Sequence, residues 1–259
     1  FDPASLREGS INLAAHRLAE TEGSAEIGPV GGSVASPSGV SLLVPPAALL
    51  EPTPVSVRSL SIADSGLASD ARFVVLAVID VDLDDSALAS AATLGVSLAA
   101  PLPADAQVLA LRAVEVLGAT RQELVGVASA NGVTLTLVAG AAGLPLPGVV
   151  EGGRYTLIRM KDPVGFATGS IRTSGAPAAS AFATSDAFPF VSLTDAASPG
   201  YALAAPLGAS SLEGTGLEDG SRGSAALALA TRGEVATRNL ELGASRPTVL
   251  EVTPAVRHA

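Results

Sequence analysis

The sequence predicts an all-β protein built from two consecutive antiparallel β-sandwich domains. Short runs of β-forming residues with alternating polarity recur along the 259 residues. Turns are frequent, because 27 Gly and 18 Pro are spread along the chain and discourage long helices. Hydrophobic residues make up 48% of the chain but aromatic residues only 3%. The core must therefore consist of Val, Leu and Ala packed in thin layers, which suits small sandwiches.

A proline pair interrupts the first strands, within residues 39–57. Alternation typical of a strand runs up to Pro45 and Pro46 and resumes a few residues later. Proline cannot donate a ladder hydrogen bond, so the strand must end at this pair. The residues that follow predict one turn of helix, which closes the edge of the sandwich with Leu49 and Leu50.

Six further runs of the first half predict strands. They carry β-formers at period two or as buried runs, and they lie at Ser56–Ile62, Phe73–Leu83, Gln107–Val116, Glu123–Ser129, Val133–Ala139 and Tyr155–Met160. Asn131 and Gly132 separate two of these runs and form a strong hairpin signal. Residues 104–117 also contain the helix formers Ala, Leu and Glu, but β-branched valines and the nearby turn favour a strand.

The composition changes after a short linker that contains Pro163 and Gly165. Beyond it, strands of about six residues alternate with turns rich in Gly, Pro and Ser, as far as Leu242. This pattern is typical of a small antiparallel sandwich. The sequence therefore predicts one sandwich over residues 28–162 and a second over residues 165–244.

The composition excludes several classes of function. The formal net charge is −10 and Lys and Arg form no cluster, so neither nucleic acid nor an anionic membrane is an expected partner. The uncharged stretch 124–150 is broken by Asn, Gly and Pro, so no membrane insertion is expected. Cys is absent, which excludes thiol catalysis and thiolate metal sites. The only histidines, His16 and His258, lie near opposite ends outside any acidic cluster, so we predict no catalytic residue and no enzyme.

One acidic run is a candidate metal site. Asp80, Asp82 and Asp84 occupy every second position, so in a strand they point to one face, where they could collect a hard cation such as calcium. The alternative is the solvent-facing side of a strand whose other face is core. The spacing lacks the glycine of a calcium loop and favours this alternative, so no cofactor is expected.

A pattern of a glycine pair, a strand, a Pro/Gly turn, a second strand and a proline pair opens the first sandwich. Its residues are Gly31, Gly32, Pro37, Gly39, Val40, Leu42, Val44, Pro45, Pro46, Ala48 and Leu49. The pattern resembles the β-sandwich domain shared by ankyrins and netrin receptors, in which glycine stands at the position of Ala47. The resemblance implies that the proline pair serves the fold and is not a catalytic loop.

The second half carries a Gly-x-Ile strand, a Gly-x-Pro turn and a Thr-Asp…Gly-Tyr-x-Leu hairpin. The residues are Gly169, Ile171, Gly175, Pro177, Ala181, Thr194, Asp195, Gly200, Tyr201 and Leu203. This pattern resembles the carboxypeptidase-regulatory, or transthyretin-like, domain of bacterial surface proteins. The resemblance implies a structural or binding accessory domain.

The two ends contain strand-like segments that are short of partners. Residues 246–255 look like the first strand of a bacterial Ig-like domain, and residues 1–27 look like a middle portion of such a domain. We therefore expect a window of a longer modular array, with flanking Ig-like strand segments at 1–27 and 245–259. In the second segment, Val249, Leu250 and Val252 belong to an alternating run that we interpret as an assembly strand.

These resemblances imply a non-catalytic structural or assembly module of a large bacterial surface or secreted protein, with a role in adhesion, stalk or filament architecture. Its location would be extracellular or on the bacterial cell surface. The expected partners are neighbouring domains of the array or identical subunits, joined head-to-tail by strand complementation. The alternative is a carbohydrate- or protein-binding accessory module of a secreted enzyme or RHS-type toxin. Sugar sites usually present exposed aromatic residues, and the chain has only two Tyr and six Phe.

Overall fold

The computed structural model describes residues 22–140 and 143–243 of the chain. These ranges contain twenty β-strands and one short 3₁₀ helix, Ile62–Ser65. Most strand pairs are antiparallel, and the predicted all-β fold is confirmed. In the part of the chain that the structure describes, no helix is long and apolar enough to cross a membrane.

The strands divide between two halves of the described chain. The first half contains β1 (Glu22–Ile27), β2 (Gly32–Ala35), β3 (Val40–Val44), β4 (Thr53–Leu60), β5 (Phe73–Asp82), β6 (Ala87–Ser97), β7 (Val108–Val116), β8 (Ala119–Asn131), β9 (Thr134–Leu137), β10 (Val149–Glu151) and β11 (Gly153–Met160). The second half contains β12 (Val164–Thr173), β13 (Ala176–Pro177), β14 (Ser180–Ser185), β15 (Phe190–Asp195), β16 (Gly200–Pro206), β17 (Gly208–Gly216), β18 (Arg222–Leu229), β19 (Val235–Thr237) and β20 (Leu240–Leu242).

The first half is a sandwich of two sets of strands around one core. One set has the order β1-β4-β5-β11-β7-β8, and the other comprises β2, β3, β6 and β9, with β10 also paired to β6. Alternate residues of both sets point inward, and among the fully buried ones are Leu42, Ile79, Leu94 and Leu135. Burial of this aliphatic surface, worth about 25 cal/mol per Å² of apolar area, stabilises the layers.

Two tight turns fix the register of three central strands. Asn131 lies opposite Thr134, and Gly132 between them has a φ of 61°, so the predicted hairpin between β8 and β9 is confirmed. Leu117 and Gly118 join β7 to β8 with φ values of 53° and 74°, as in the two-residue turns that match the twist of a hairpin. Since β7 occupies most of 104–117, the helical alternative for that segment is wrong.

The segment after the proline pair differs from the prediction. The strand does end at Val44, before Pro45, but no helical turn follows. Ala47 instead takes a left-handed conformation with a φ of 61°, and its N–H donates to the carbonyl of Pro29 at 2.8 Å. This turn buries Leu49 and leaves Leu50 86% exposed. Only one of the two leucines therefore closes the edge of the sandwich.

The strand β6 has no counterpart among the predicted strands. It is rich in Ala, Ser and Thr, and its alternation of buried and exposed positions is irregular. Its neighbours β3, β9 and β10 supply the hydrogen bonds that hold it extended. Tertiary pairing thus overrides a weak local preference, as is common for strands.

The second half is also a sandwich. The strand β12 pairs antiparallel with β16 on one edge and parallel with β19 and β20 on the other, and β15-β14-β17-β18 forms the facing layer. Ile171 and Leu212 are among the residues of the core between the layers. At Gly169, an added Cβ would lie 1.8 Å from the carbonyl oxygen of Arg238. Only glycine allows this approach of the chain to β12.

Strand pairing and a hydrophobic cluster join the two halves, in addition to the covalent connection. Three residues separate β11 from β12, and the expected boundary near residues 162–165 lies there. The strand β15 pairs parallel with β8 at Phe190–Gln122 and Val191–Glu123. A hydrophobic cluster drawn from both halves fills the junction; its buried members are Phe73, Leu109, Leu111, Leu124, Leu144, Leu146, Ile158, Met160, Val164, Phe166, Phe188, Phe190, Ala202 and Ala204. One sheet and one core therefore cross the junction.

Both expected Ig-like segments lie mostly outside the described residues. The structure does not describe residues 1–21 and 244–259. The second of these ranges contains Val249, Leu250 and Val252 of the expected assembly strand. The described part of the first segment is β1, which pairs with β4 along its whole length, from Glu22–Arg58 to Ile27–Thr53. Residues 22–27 therefore lie in the sheet of the first sandwich.

Candidate functional site

A cleft of about 660 Å³ lies at the junction of the two sandwiches. Both halves line it. The first half contributes Arg112, Glu123, Pro145, Leu146, Pro147, Val150 and Glu151, and the second half contributes Ser180, Ser192, Leu193, Thr194, Asp195, Ser198, Gly200 and Leu217. The volume lies in the range of ligand pockets, about 300–1,000 Å³. This cleft is therefore the candidate site.

The β7–β8 hairpin positions an ion pair in the wall of the cleft. Arg112 and Glu123 each lie five residues from the turn at Leu117 and Gly118, so they are directly opposite each other. The Nη2 of Arg112 donates to Oε2 of Glu123 at 2.9 Å, and Nη1 donates to the carboxylate of Glu151. The side chains of Arg112 and Glu123 are only 11% and 7% exposed, whereas that of Glu151 is 56% exposed.

Burial shifts the ionisation of this cluster. It raises the pKa of the Glu123 carboxyl, although the Arg112 guanidinium and the backbone N–H of Leu193 act in the opposite direction. Burial is the largest single effect on Arg112 and would lower its pKa, but the charges of Glu123, Tyr155 and Glu151, together with the hydrogen bond to Glu123, outweigh burial and the pKa is raised. Burial also raises the pKa of Tyr155 to about 12, and its hydroxyl donates to the Glu151 carbonyl at 2.6 Å. Desolvation is therefore the main cost of placing charge here.

The second half supplies a polar wall, and some of its polar groups already form hydrogen bonds within the chain. One carboxylate oxygen of Asp195, Oδ1, accepts from the backbone N–H groups of Ala197 at 2.8 Å and Ser198 at 2.6 Å. The hydroxyl of Ser192 accepts from the N–H of Ala202 at 3.2 Å. These bonds order the β15–β16 turn at the mouth of the cleft.

The acidic run that suggested a metal site is held by other contacts. Asp80 accepts from Nε of Arg58 at 2.9 Å, and the two residues are cross-strand partners on β4 and β5. Asp82 accepts from the backbone N–H of Asp84 at 2.9 Å. Asp84 itself lies in the β5–β6 turn with a φ of 49°. Within residues 22–140 and 143–243, no three His, Asp or Glu side chains are arranged to hold a metal ion.

Sequence reasoning did not identify the cleft residues. A local signal did exist, because Arg112 and Glu123 carry opposite charges and are equidistant from one turn. Glu151 and the β15 residues join them because of how the two halves pack. No local pattern in the sequence encodes that packing.

The cleft can bind a ligand by charge, hydrogen bonds and apolar contact. Its walls offer carboxylates, one guanidinium, hydroxyls and the apolar side chains of Leu146, Leu193 and Leu217. No protein-family model matches the sequence, and no curated protein matches it significantly.

Proposed function

We propose that this chain is a non-catalytic structural module of a large bacterial surface or secreted protein, with a role in adhesion, stalk or filament architecture outside the cell. The observation that supports the proposal is the junction, in which one hydrophobic cluster and one sheet cross from the first sandwich to the second. A spacer must hold its domains at a fixed angle, and a shared core achieves this whereas a solvated linker does not.

Contacts around the shared cluster add to this rigidity. Phe73 of the first half packs on Phe190 of the second, with ring centroids 5.9 Å apart. Arg72 lies 5.0 Å above the ring of Phe188, and its Nη1 donates to the carbonyl of Ala187. Such aromatic and cation–π contacts contribute about 0.5–1.5 kcal/mol each.

A side chain of the first half binds the backbone of the second half at their connection. The amide of Gln107 donates to the carbonyl of Val164 and accepts from its N–H, both at 2.9 Å. The same carbonyl also accepts from the N–H of Gly233 at 2.9 Å. Gln107 therefore supplies an acceptor for the Val164 N–H in a partly buried place, where an unpaired group would cost about 1–3 kcal/mol.

Assembly is the second element of the proposal. Residues 246–255, with Val249, Leu250 and Val252, would add as a strand to the 1–27 segment of a neighbouring domain in the array or of an identical subunit. In the described ranges, β1 is the terminal strand of its sheet order and pairs only with β4 on one edge. An edge of this kind is a template for another strand.

Deletion of Thr248–Ala259 tests the assembly. We expect the full chain to form head-to-tail oligomers whose light-scattering mass rises with concentration, and the truncated chain to stay monomeric with an unchanged melting temperature. A truncated chain that assembles as before would overturn the head-to-tail arrangement. Either result is independent of the junction, which lies elsewhere in the chain.

The cleft favours a second candidate, the binding accessory module of a secreted enzyme or RHS-type toxin. A protein ligand suits it better than a carbohydrate, because all the aromatic residues of the described ranges are buried: Phe73, Tyr155, Phe166, Phe182, Phe188, Phe190 and Tyr201. Sugar sites usually stack the ring on an exposed aromatic side chain. A glycan array tests the carbohydrate form of this candidate, since specific and saturable sugar binding would overturn the structural proposal.

A further inference from the structure

The strand β15 is only partly covered along one of its edges. On one edge it pairs with β14 from Val191 to Asp195. On the other edge it pairs with β8 at Phe190 and Val191 alone. From Ser192 onward, no strand of the described ranges pairs with this second edge. Beyond these two residue pairs, the strands β8 and β15 are therefore no longer paired.

The cleft lies where the sheet opens. Its lining includes Ser192, Leu193, Thr194 and Asp195, which are four consecutive residues of β15. Successive side chains of a strand point to opposite faces, so a cavity on one face would be lined by every second residue. Four in succession indicate that the cleft meets the backbone edge of the strand.

A side chain of the first half lies against this edge. The backbone N–H of Leu193 favours the charged form of the Glu123 carboxyl, although burial still raises the pKa of that group. Glu123 thus stands where a neighbouring strand would offer a carbonyl. The N–H of Asp195 already donates to the carbonyl of Ser198 at 3.2 Å, so a further strand would bind this edge through the Leu193 N–H and backbone carbonyls.

The cleft carries an excess of negative charge. Three carboxylates line it, those of Glu123, Glu151 and Asp195, against the single guanidinium of Arg112, which leaves two formal negative charges. Both Nη atoms of Arg112 are occupied by carboxylates of the same wall, while its Nε is buried without an acceptor in the described residues. A basic side chain complements the charge, and a backbone carbonyl is the kind of acceptor that the wall lacks.

We propose that the junction cleft binds an extended segment of a partner protein that carries a Lys or Arg side chain and adds as a strand to the edge of β15 at Ser192–Asp195. Backbone hydrogen bonds supply affinity in this mode of recognition, and side-chain pockets supply specificity. Four residues of strand span about 13 Å, so the segment is short. This inference rests on the second candidate function, a protein-binding cleft, and names its class of ligand; it does not depend on assembly through the chain ends.

Titration of the ¹⁵N-labelled chain with a blocked pentapeptide, Ac-Thr-Val-Arg-Val-Thr-NH₂, tests the proposal by NMR. We expect saturable shifts of the backbone amides of Leu193, Thr194 and Asp195, and no shifts at the opposite end of the first sandwich. The same peptide with Glu in place of Arg should bind about tenfold more weakly, because it faces like charge. Absence of saturable shifts at β15 would overturn the proposal.

Two further arms separate strand addition from simple ion binding. A peptide with the same side chains but N-methylated at alternate amides cannot complete the backbone ladder and should lose most of its affinity, and L-arginine amide should bind far more weakly than the parent peptide. If either ligand shifts the same amides as strongly as the parent peptide does, the cleft binds a free cation and strand addition is wrong.

A charge variant tests whether the carboxylates of the cleft contribute to peptide binding. Glu151 is more than half exposed, so Glu151→Gln should fold normally and weaken the parent peptide several-fold. The matched control is Asp85→Asn in the exposed β5–β6 turn, outside the cleft, which should leave binding unchanged. Equal affinities of both variants and the parent chain would contradict the assigned role of the carboxylates.

Discussion

Removal of one ring at the junction should uncouple the two sandwiches. Phe190 is buried, its ring centroid lies 5.9 Å from that of Phe73 and 5.5 Å from that of Phe188, and it belongs to the cluster shared by the halves. Truncation of a buried Phe to Ala costs about 3–5 kcal/mol. Because two aromatic pairs are lost as well, we expect Phe190→Ala to lower the free energy of unfolding by about 5 kcal/mol, near the upper end of that range.

The free energy lost in Phe190→Ala should mainly be the free energy that couples the unfolding of the two halves. In the parent chain, we expect both halves to unfold in a single transition, because exposure of either one exposes the shared cluster. In Phe190→Ala that linkage is weakened, so the second half should unfold at a lower urea concentration than the first. The amide NMR signals of Leu94 in the first core and Leu227 in the second report the two transitions separately.

A matched control separates coupling from general destabilisation. Leu94→Ala removes a fully buried side chain from the first core, away from the junction, at a cost of about 2–5 kcal/mol. This variant should keep the cluster at the junction intact. Phe190→Leu retains most of the apolar volume and should cost less than about 2 kcal/mol, which provides a folded variant if the alanine variant does not fold. Coincident transitions in both Phe190 variants, with a loss below about 1 kcal/mol, would refute the reasoning.

Four other outcomes are expected. Ala47→Gly should raise the free energy of unfolding by roughly 0.5–1 kcal/mol in urea titrations, because Ala47 has a φ of 61° that glycine adopts without strain; a loss of stability would contradict this. Gly169→Ala should lower it by about 2 kcal/mol or more, since the new Cβ would lie 1.8 Å from the Arg238 carbonyl oxygen. The pKa of Glu123 is raised in the folded chain above its ordinary value of 4.5, so its contribution to stability is present below its unfolded pKa and is lost as pH rises through the folded value; relative to Glu123→Gln, the parent chain should therefore lose stability as pH rises above the ordinary value, and the opposite slope would disprove the assignment. Chelation of calcium should leave the melting temperature unchanged, because the carboxylates of Asp80 and Asp82 already accept hydrogen bonds from the chain itself; a drop of ten degrees would establish a bound ion.

Local sequence signals are sufficient to predict many individual elements of this fold. The period-two pattern located most strands of the first half, the proline pair ended β3 at Val44, and Asn131-Gly132 specified the hairpin between β8 and β9. These features depend on neighbours in the chain, on proline's missing donor and on glycine's access to positive φ. They can therefore be recognised from short segments alone.

Which elements contact each other depends on tertiary packing. The strand β6 is extended because three partners pair with it, and Leu50 is exposed because the turn at Ala47 directs it away from the core. The parallel pairing of β8 with β15 joins Gln122 to Phe190 across 68 positions of the chain, and it places Glu123 and Asp195 in the lining of one cleft. Such contacts follow from the burial of apolar faces that belong to separate sandwiches, and no local period or turn signal records which distant face will be buried against which.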